Sequence, residues 1–216
     1  TYPDFPIIQY ADDTVLVLPA IPSQLMHIKN LLLHFASYTG LKVNYAKSTM
    51  IAINTPESKM QVLSELMGCQ IGSFPLPYLG MPLGINKPRV VDFFPLLKRI
   101  ETRLQGCSTL LSYGDKLVLI KSVFASMPIF YMSILAIPMT VVQQLNKYLR
   151  HCFWRKYGSE EQTPALIAWD KACLPKSHGG MGILDISTHN QALLMKFLHK
   201  FLNKHDLPWV KMIWES

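Results

Sequence analysis

The chain has 216 residues, of which half are hydrophobic and 16% are charged, and its formal net charge is +7. This composition predicts a packed core and excludes a disordered chain. The length suits one large domain or two small ones.

The positive charge is concentrated in one third of the chain. Residues 1–80 hold four lysines against five acids, and residues 157–216 hold six charges of each sign. Residues 81–156 hold eleven Lys or Arg against three acids. Such a cluster favours a nucleic-acid-binding surface, with a solvated basic face that aids solubility as the alternative.

No basic segment leading into an apolar one opens the chain, so we predict a protein of the nucleus or cytoplasm that is not secreted. A predicted strand follows Thr1 almost at once, which suggests that the sequence continues upstream. Cys69, Cys107, Cys152 and Cys173 lack the spacing of zinc ligands. We therefore expect reduced thiols and no zinc in this segment.

Residues 5–18 predict a β-hairpin with an acidic pair at its turn. Two short apolar runs flank the tetrapeptide that ends in Asp12 and Asp13. Adjacent carboxylates repel each other unless something positive lies between them. A divalent cation such as Mg²⁺ or Mn²⁺ suits these hard oxygen ligands. A plain turn is the alternative, since Asp tolerates tight turn geometry.

Short helices and strands are predicted to follow. Capping residues, glycines and prolines indicate a helix from Ser23 to Thr39-Gly40, a short strand or turn at 41–44, a strand at 50–53, a helix from Thr55-Pro56 to Gly68, and a tight hairpin within 74–84.

From residue 89 onward, apolar residues spaced three and four apart predict mainly helix. The three apolar stripes are Phe93, Leu97, Ile100 and Leu104; Leu117, Ile120, Phe124 and Met127; and Val142, Leu145, Leu149 and Phe153. A last helix is expected near 187–203. The uncharged segment 122–138 has some character of a membrane span, but it is short and Pro128 interrupts it. A core helix ending near Met127, followed by a buried extended stretch, fits this segment better.

A series of short motifs runs through the chain in a fixed order. They are Tyr-Ala-Asp-Asp at 10–13, Thr-Gly-Leu-Lys-Val-Asn at 39–44, Lys-Ser at 47–48, Tyr-Leu-Gly at 78–80, Ile-Lys-Ser-Val at 120–123, Met-Pro at 127–128, Phe-Trp at 153–154, Ala-Trp-Asp at 168–170 and Gly-Gly-Met-Gly-Ile at 179–183. This series resembles the C-terminal half of a reverse transcriptase from a plant-type non-LTR retrotransposon.

The resemblance implies an α+β fold in three parts. Residues 1–86 would be a partial polymerase palm, a β-hairpin plus helices on a small antiparallel sheet, with a primer-grip hairpin. Residues 87–157 would form a basic helical thumb, and residues 158–216 a connector region. The implied activity is RNA-directed DNA polymerisation by two-metal nucleotidyl transfer. Its partners would be an RNA template, a DNA primer, deoxynucleoside triphosphates and Mg²⁺ or Mn²⁺.

The resemblance also assigns roles near the acidic pair. Asp12 would be the firm metal ligand, and Asp13 its neighbour in the catalytic site. Tyr10 would lie beneath the nascent base pair. Lys47 would act as general acid to the pyrophosphate, unless it is simply an exposed lysine at the end of a turn.

Nucleic-acid contacts are implied further along the chain. Tyr78, Leu79 and Gly80 would form the primer grip, with a plain structural hairpin as the alternative. The candidates for phosphate contact are Lys87, Arg89, Lys98, Arg99, Arg103, Lys116 and Lys121.

The sequence departs from a working enzyme of this family in one respect. The palm takes its first metal-binding carboxylate from an upstream strand, and here Asp4 is the only acid before Asp12 and too close to it. The fingers and that upstream palm segment would be missing partners. We therefore expect an inactive reverse-transcriptase fragment, or a nucleic-acid-binding remnant, with a small membrane protein as a third hypothesis. The isolated hairpin would expose an apolar edge, so poor solubility is expected.

Overall fold

A computed structural model describes residues 7–105, 111–154 and 165–215. The chain divides into two compact units, Thr1–Ile85 and Asn86–Ser216. Short strands and helices make up the described part of the first unit, and the described part of the second is helical. The α+β class predicted from the sequence is confirmed.

Six short strands and two helices form the described part of the first unit. They are β1 (Ile7–Tyr10), β2 (Asp13–Leu16), α1 (Pro22–Thr39), β3 (Thr49–Ile51), α2 (Glu57–Met67), β4 (Gln70–Gly72), β5 (Leu76–Tyr78) and β6 (Met81–Leu83). The pairs β1–β2 and β5–β6 are antiparallel hairpins, as predicted. The pair β3–β4 is parallel, because α2 crosses over between its strands.

Helix α1 begins one residue earlier than predicted, and its start is not capped by Ser23. Pro22 occupies the first turn, and no side chain caps the helix. Proline suits this position because its ring presets the helical φ and it lacks the N–H that the first turn leaves unpaired. The predicted end is confirmed, since Gly40 takes a left-handed φ of 77°. Residues 41–44 form no strand and lead into a turn.

The core of the first unit is small. Leu25 of α1 packs with Met60 and Leu63 of α2. Hairpin β1–β2 lies outside this core, with Ile7 and Ile8 more than half exposed on opposite faces. A two-stranded hairpin without cover on either face is marginally stable in water, which agrees with the exposed apolar edge expected from the sequence.

The second unit is built from helices. Its described elements are a 3₁₀ turn (Val90–Phe93), α3 (Phe94–Gln105), α4 (Tyr113–Leu119), a π-helical turn (Ile120–Phe124), α5 (Ile129–Met132), α6 (Met139–Trp154), α7 (Trp169–Ala172), a 3₁₀ turn (Lys176–His178), α8 (Ile186–Leu202) and α9 (Pro208–Trp214). Helix α9 has no counterpart in the sequence prediction, whereas α8 matches the predicted last helix to within one residue.

The three predicted apolar stripes meet in one core. Phe93 and Ile100 from the first stripe, Ile120 and Phe124 from the second, and all four residues of the third are buried there. The remaining stripe residues pack against this core while partly exposed. Helical spacing therefore predicted the inner face of each helix correctly.

Segment 122–138 differs from its prediction beyond Pro128. The expected extended stretch is replaced by a helical turn, α5, because Pro128 stands before its first residue and costs no internal hydrogen bond there. Within the described ranges, no helix combines the length and apolar character needed to cross a lipid bilayer.

Candidate active site and nucleic-acid interface

The acidic pair lies at the tip of hairpin β1–β2. Tyr10 pairs with Asp13, so Ala11 and Asp12 alone form the turn. Ala11 takes a left-handed φ of 52°, which lets so short a turn close. Both carboxylates are exposed, and Tyr10 beside them is 63% exposed. The turn therefore presents two adjacent carboxylates and one aromatic ring to solvent.

Two carboxylates provide part of a divalent-metal site. Their oxygens are the hard ligands that Mg²⁺ and Mn²⁺ prefer. Among the described residues, no three His, Cys, Asp or Glu side chains are grouped closely enough to hold a metal ion. Asp4, the acid that precedes the pair, lies outside the described residues. Two carboxylates are fewer ligands than a divalent ion takes, so a metal site at this turn would need further ligands.

Lys47 lies in an exposed turn before β3. The side-chain oxygen of Asn44 accepts a hydrogen bond of 3.1 Å from the Lys47 backbone N–H, and the Asn44 carbonyl accepts a second from the same group. This arrangement fixes the backbone at Lys47. The Lys47 ammonium makes no hydrogen bond or ion pair with another described residue, so it is available for an anionic ligand.

The Tyr78-Leu79-Gly80 segment closes hairpin β5–β6. Tyr78 pairs with Met81, and the two turn residues Leu79 and Gly80 have φ of 49° and 75°. Positive φ at both positions is the pattern of a type I′ turn. A glycine satisfies it without strain, whereas a leucine does not. A Cβ on Gly80 would meet nothing within 4 Å, so the backbone there is open to close approach.

The hydroxyl of Tyr78 is the second unusual feature of this hairpin. Its oxygen is buried and has no hydrogen-bond partner among the described residues. A buried hydroxyl is normally paired, because leaving it unpaired costs about 1–3 kcal/mol. Sequence reasoning selected Tyr78 from a motif, and neither this buried hydroxyl nor the left-handed Leu79 has a local sequence signal.

The seven basic candidates fall into two groups by their environment. Five of them are exposed to solvent: Lys87, Arg89, Lys98, Arg99 and Arg103. Lys98 and Arg99 lie on α3, away from its buried residues Leu96 and Ile100. Exposed cations such as these are suited to phosphate contact.

The other two candidates are less exposed: Lys116 is buried and Lys121 is half-buried. Lys116 is 6% exposed, and its ammonium lies 5.5 Å from the centroid of the Tyr113 ring. The Lys121 ammonium donates a hydrogen bond to the carbonyl of Met181, sixty residues further along the chain. Helical spacing placed both lysines beside an apolar stripe but could not show that neighbouring segments cover them.

Comparison with known proteins gives one sequence relationship. No protein-family model matches the chain. Over 130 residues it is 30% identical to an Arabidopsis thaliana protein named "Putative ribonuclease H protein". The match covers 60% of this chain and 20% of that protein, so the chain spans about a fifth of the relative's length.

Proposed function

We propose that this chain is part of an RNA-directed DNA polymerase of a non-LTR retrotransposon, with two-metal nucleotidyl transfer in the longer protein and no activity in this segment alone. The observation that carries the proposal is the pair of exposed carboxylates, Asp12 and Asp13, at a two-residue hairpin turn. Neither carboxylate forms an ion pair with another described residue, and a divalent ion bound there would offset their mutual repulsion.

In this proposal Asp12 and Asp13 hold the divalent ions, together with a carboxylate outside the described residues. When bound, the ions activate the primer hydroxyl and neutralise the triphosphate. Tyr10 supports the primer end from the neighbouring strand. Lys47, whose turn is fixed by Asn44, donates a proton to the leaving pyrophosphate.

The backbone of hairpin β5–β6 serves as the primer grip. Its turn is open at Gly80, which lets primer phosphates approach closely. The exposed cations, of which Lys98 and Arg99 lie together on α3, hold the duplex by its phosphates and read no sequence.

The Arabidopsis relative supports an activity on nucleic acid. Ribonuclease H denotes a nuclease for RNA paired with DNA, and that duplex is what reverse transcription makes. The net charge of +7 is consistent with a nucleic-acid partner.

Primer extension tests the catalytic proposal. The 216-residue chain should incorporate no nucleotide on a primed homopolymer RNA with Mn²⁺. A longer protein that joins it to upstream coding sequence with a further palm aspartate should incorporate nucleotides. In that protein Asp12→Ala should abolish incorporation, and Glu57→Ala, an exposed acid of the same unit, should leave it unchanged. Incorporation that survives Asp12→Ala would refute the assigned site.

A non-catalytic nucleic-acid-binding protein is the second candidate. The lack of a third metal ligand among the described residues favours it. Both candidates predict binding to an RNA–DNA duplex that weakens steeply with salt. They differ in the longer protein: binding without incorporation there would select the second candidate.

A further inference from the structure

A cavity of about 330 Å³ lies in the second unit, beside helix α7. It is bounded on one side by Lys171 and Ala172 of α7 and on the other by His178 and the Gly179-Gly180 turn. The volume is at the lower end of the range for small-ligand sites, which suits a ligand with one ring system.

Gly179 and Gly180 form one wall of this cavity. A Cβ on Gly180 would lie 2.0 Å from the carbonyl oxygen of Leu174, so only glycine fits there. Gly179 takes a left-handed φ of 77° and has nothing within 4 Å of its Cβ position. The backbone is therefore bare at Gly179, whereas the Cβ face of Gly180 is packed against Leu174.

Hydrogen bonds hold the wall in place. The Met181 N–H donates to the Ala172 carbonyl at 3.0 Å, and the Gly182 N–H donates to the Leu174 carbonyl at 2.9 Å. The Lys121 ammonium donates to the Met181 carbonyl from the π-helical turn. These bonds tie the wall to α7 and to the core, so the cavity does not depend on side-chain packing alone.

The lining combines apolar groups with two polar ones. Ile167, Leu174 and Met181 supply aliphatic and thioether surface, and Ile167 and Leu174 are each 44% exposed. Among the described residues, the Lys171 ammonium makes no hydrogen bond or ion pair. The imidazole of His178 uses Nδ1 towards the Ser177 hydroxyl at 3.1 Å, which leaves Nε2 for a ligand.

Two acids lie nearby but outside the lining. The negative charges of Asp170 and Asp185 raise the pKa of the Cys173 thiol. The Asp185 carboxylate also accepts a hydrogen bond from the Thr188 N–H at the start of α8. The cavity itself is therefore lined by basic and apolar groups, which favours a ligand with an anionic end and an apolar body.

We propose that this cavity binds one unpaired nucleotide of a single strand, with its base against the glycine wall and Leu174 and its phosphate between Lys171 and His178. Single-strand recognition joins a cation for the phosphate to a surface for the base. Here Lys171 supplies the cation, and Leu174 beside Gly179 supplies the surface. The inference rests on the proposed function, because the nucleic-acid partner is what selects a nucleotide over an acidic peptide.

Photo-crosslinking of the full 216-residue chain tests the site. A single-stranded oligonucleotide carrying 5-iodouracil is irradiated with the protein, and the crosslinked peptide is mapped by mass spectrometry. We expect crosslinks within residues 165–181. Lys171→Ala and His178→Ala should each lower their yield about fivefold. Lys176→Ala is the matched control, since Lys176 is an exposed cation outside the lining.

Competition with small molecules tests the base and the phosphate of the proposed ligand separately. Thymidine monophosphate should suppress the crosslink at lower concentration than thymidine or inorganic phosphate alone. Equal suppression by phosphate would overturn the base-binding part of the proposal. Suppression by an acidic peptide but not by the nucleotide would overturn the proposal as a whole.

Filter binding distinguishes failure of this site from failure of the proposed function. If the oligonucleotide binds but crosslinks form only outside residues 165–181, the cavity is not a nucleotide site and the proposed function stands. If no nucleic acid is retained even at low salt, both proposals are wrong.

Discussion

The side-chain oxygen of Asn190 accepts a hydrogen bond of 2.9 Å from the backbone N–H of Ile137, fifty-three residues earlier. The amide nitrogen of Asn190 donates to the carbonyls of Met132 and Leu135 at 2.8 Å each. One buried side chain on α8 thereby pairs three backbone groups of the connection from α5 to α6. The uncharged segment before α6 depends on this residue for three of its hydrogen bonds.

Asn190→Leu should therefore destabilise the second unit strongly. It would leave three backbone groups buried without partners, at about 1–3 kcal/mol for each. Urea unfolding should show a loss of about 3 kcal/mol or more. Asn203→Ala is the matched control, because the Asn203 amide makes one exposed hydrogen bond, to the His199 carbonyl, and should cost about 0.5 kcal/mol. Equal losses would show that the Asn190 bonds contribute little.

Removal of the Lys121 ammonium should lower the stability of the protein, whereas removal of the Lys98 ammonium should not. Lys121→Met removes the hydrogen bond to Met181 and should lower the free energy of unfolding by about 1–3 kcal/mol. Lys98→Met removes an exposed cation and should leave stability within about 0.5 kcal/mol.

The salt dependence of nucleic-acid binding should change on removal of Lys98 and stay the same on removal of Lys121. If Lys98 contacts a phosphate, Lys98→Met should reduce the slope of log affinity against log salt by about one. Filter binding over a salt series measures this slope. A reduced slope for Lys121→Met in protein that is still folded would show that Lys121 reaches phosphate after all.

Leu79→Asn should stabilise hairpin β5–β6. Leu79 has a left-handed φ of 49°, which is costly for leucine and tolerated by asparagine. We expect a gain of about 0.5–1 kcal/mol, measured by hydrogen exchange at the Tyr78 and Met81 amides. Leu83→Asn, at an exposed strand position with ordinary φ, should give a loss instead. A loss for Leu79→Asn would show that the leucine side chain makes packing contacts that outweigh its strain.

Cys173 should make stability depend on alkaline pH. Burial, with smaller contributions from the negative charges of Asp185 and Asp170, raises the pKa of its thiol from an ordinary value of 9.0 to about 11. Between these values the unfolded chain loses the proton while the folded chain keeps it, so unfolding becomes easier as pH rises. This contribution to stability is complete below pH 9 and is lost as pH approaches 11.

Thermal unfolding of the chain and of Cys173→Ala checks this dependence. The difference in stability between the two proteins should change between pH 9 and 11 and stay constant from pH 7 to 8.5. A constant difference over the whole range would mean that the thiol ionises equally in both states. Alkylation by iodoacetamide gives an independent readout, because Cys173 should react slowly at pH 8, where its thiolate is scarce.

Local sequence signals determined much of the fold. Residues spaced three and four apart identified the buried faces of α3 and α6, because a helix repeats every 3.6 residues whatever surrounds it. Gly40 and Gly68 marked helix ends because few other residues adopt a left-handed φ at low cost. The acidic pair between two apolar runs located the turn of hairpin β1–β2 to within one residue, although Ala11 is the turn residue with a left-handed φ.

Tertiary structure alone decided the features that join distant segments. The parallel pairing of β3 with β4, the burial of Lys116 and the bonds of Asn190 depend on contacts between residues far apart in sequence. The hydrogen bond from Lys121 to Met181, beside the cavity at α7, likewise joins residues sixty positions apart. A residue's own neighbours in sequence do not specify which segment will cover it, because that choice follows from how the whole core packs.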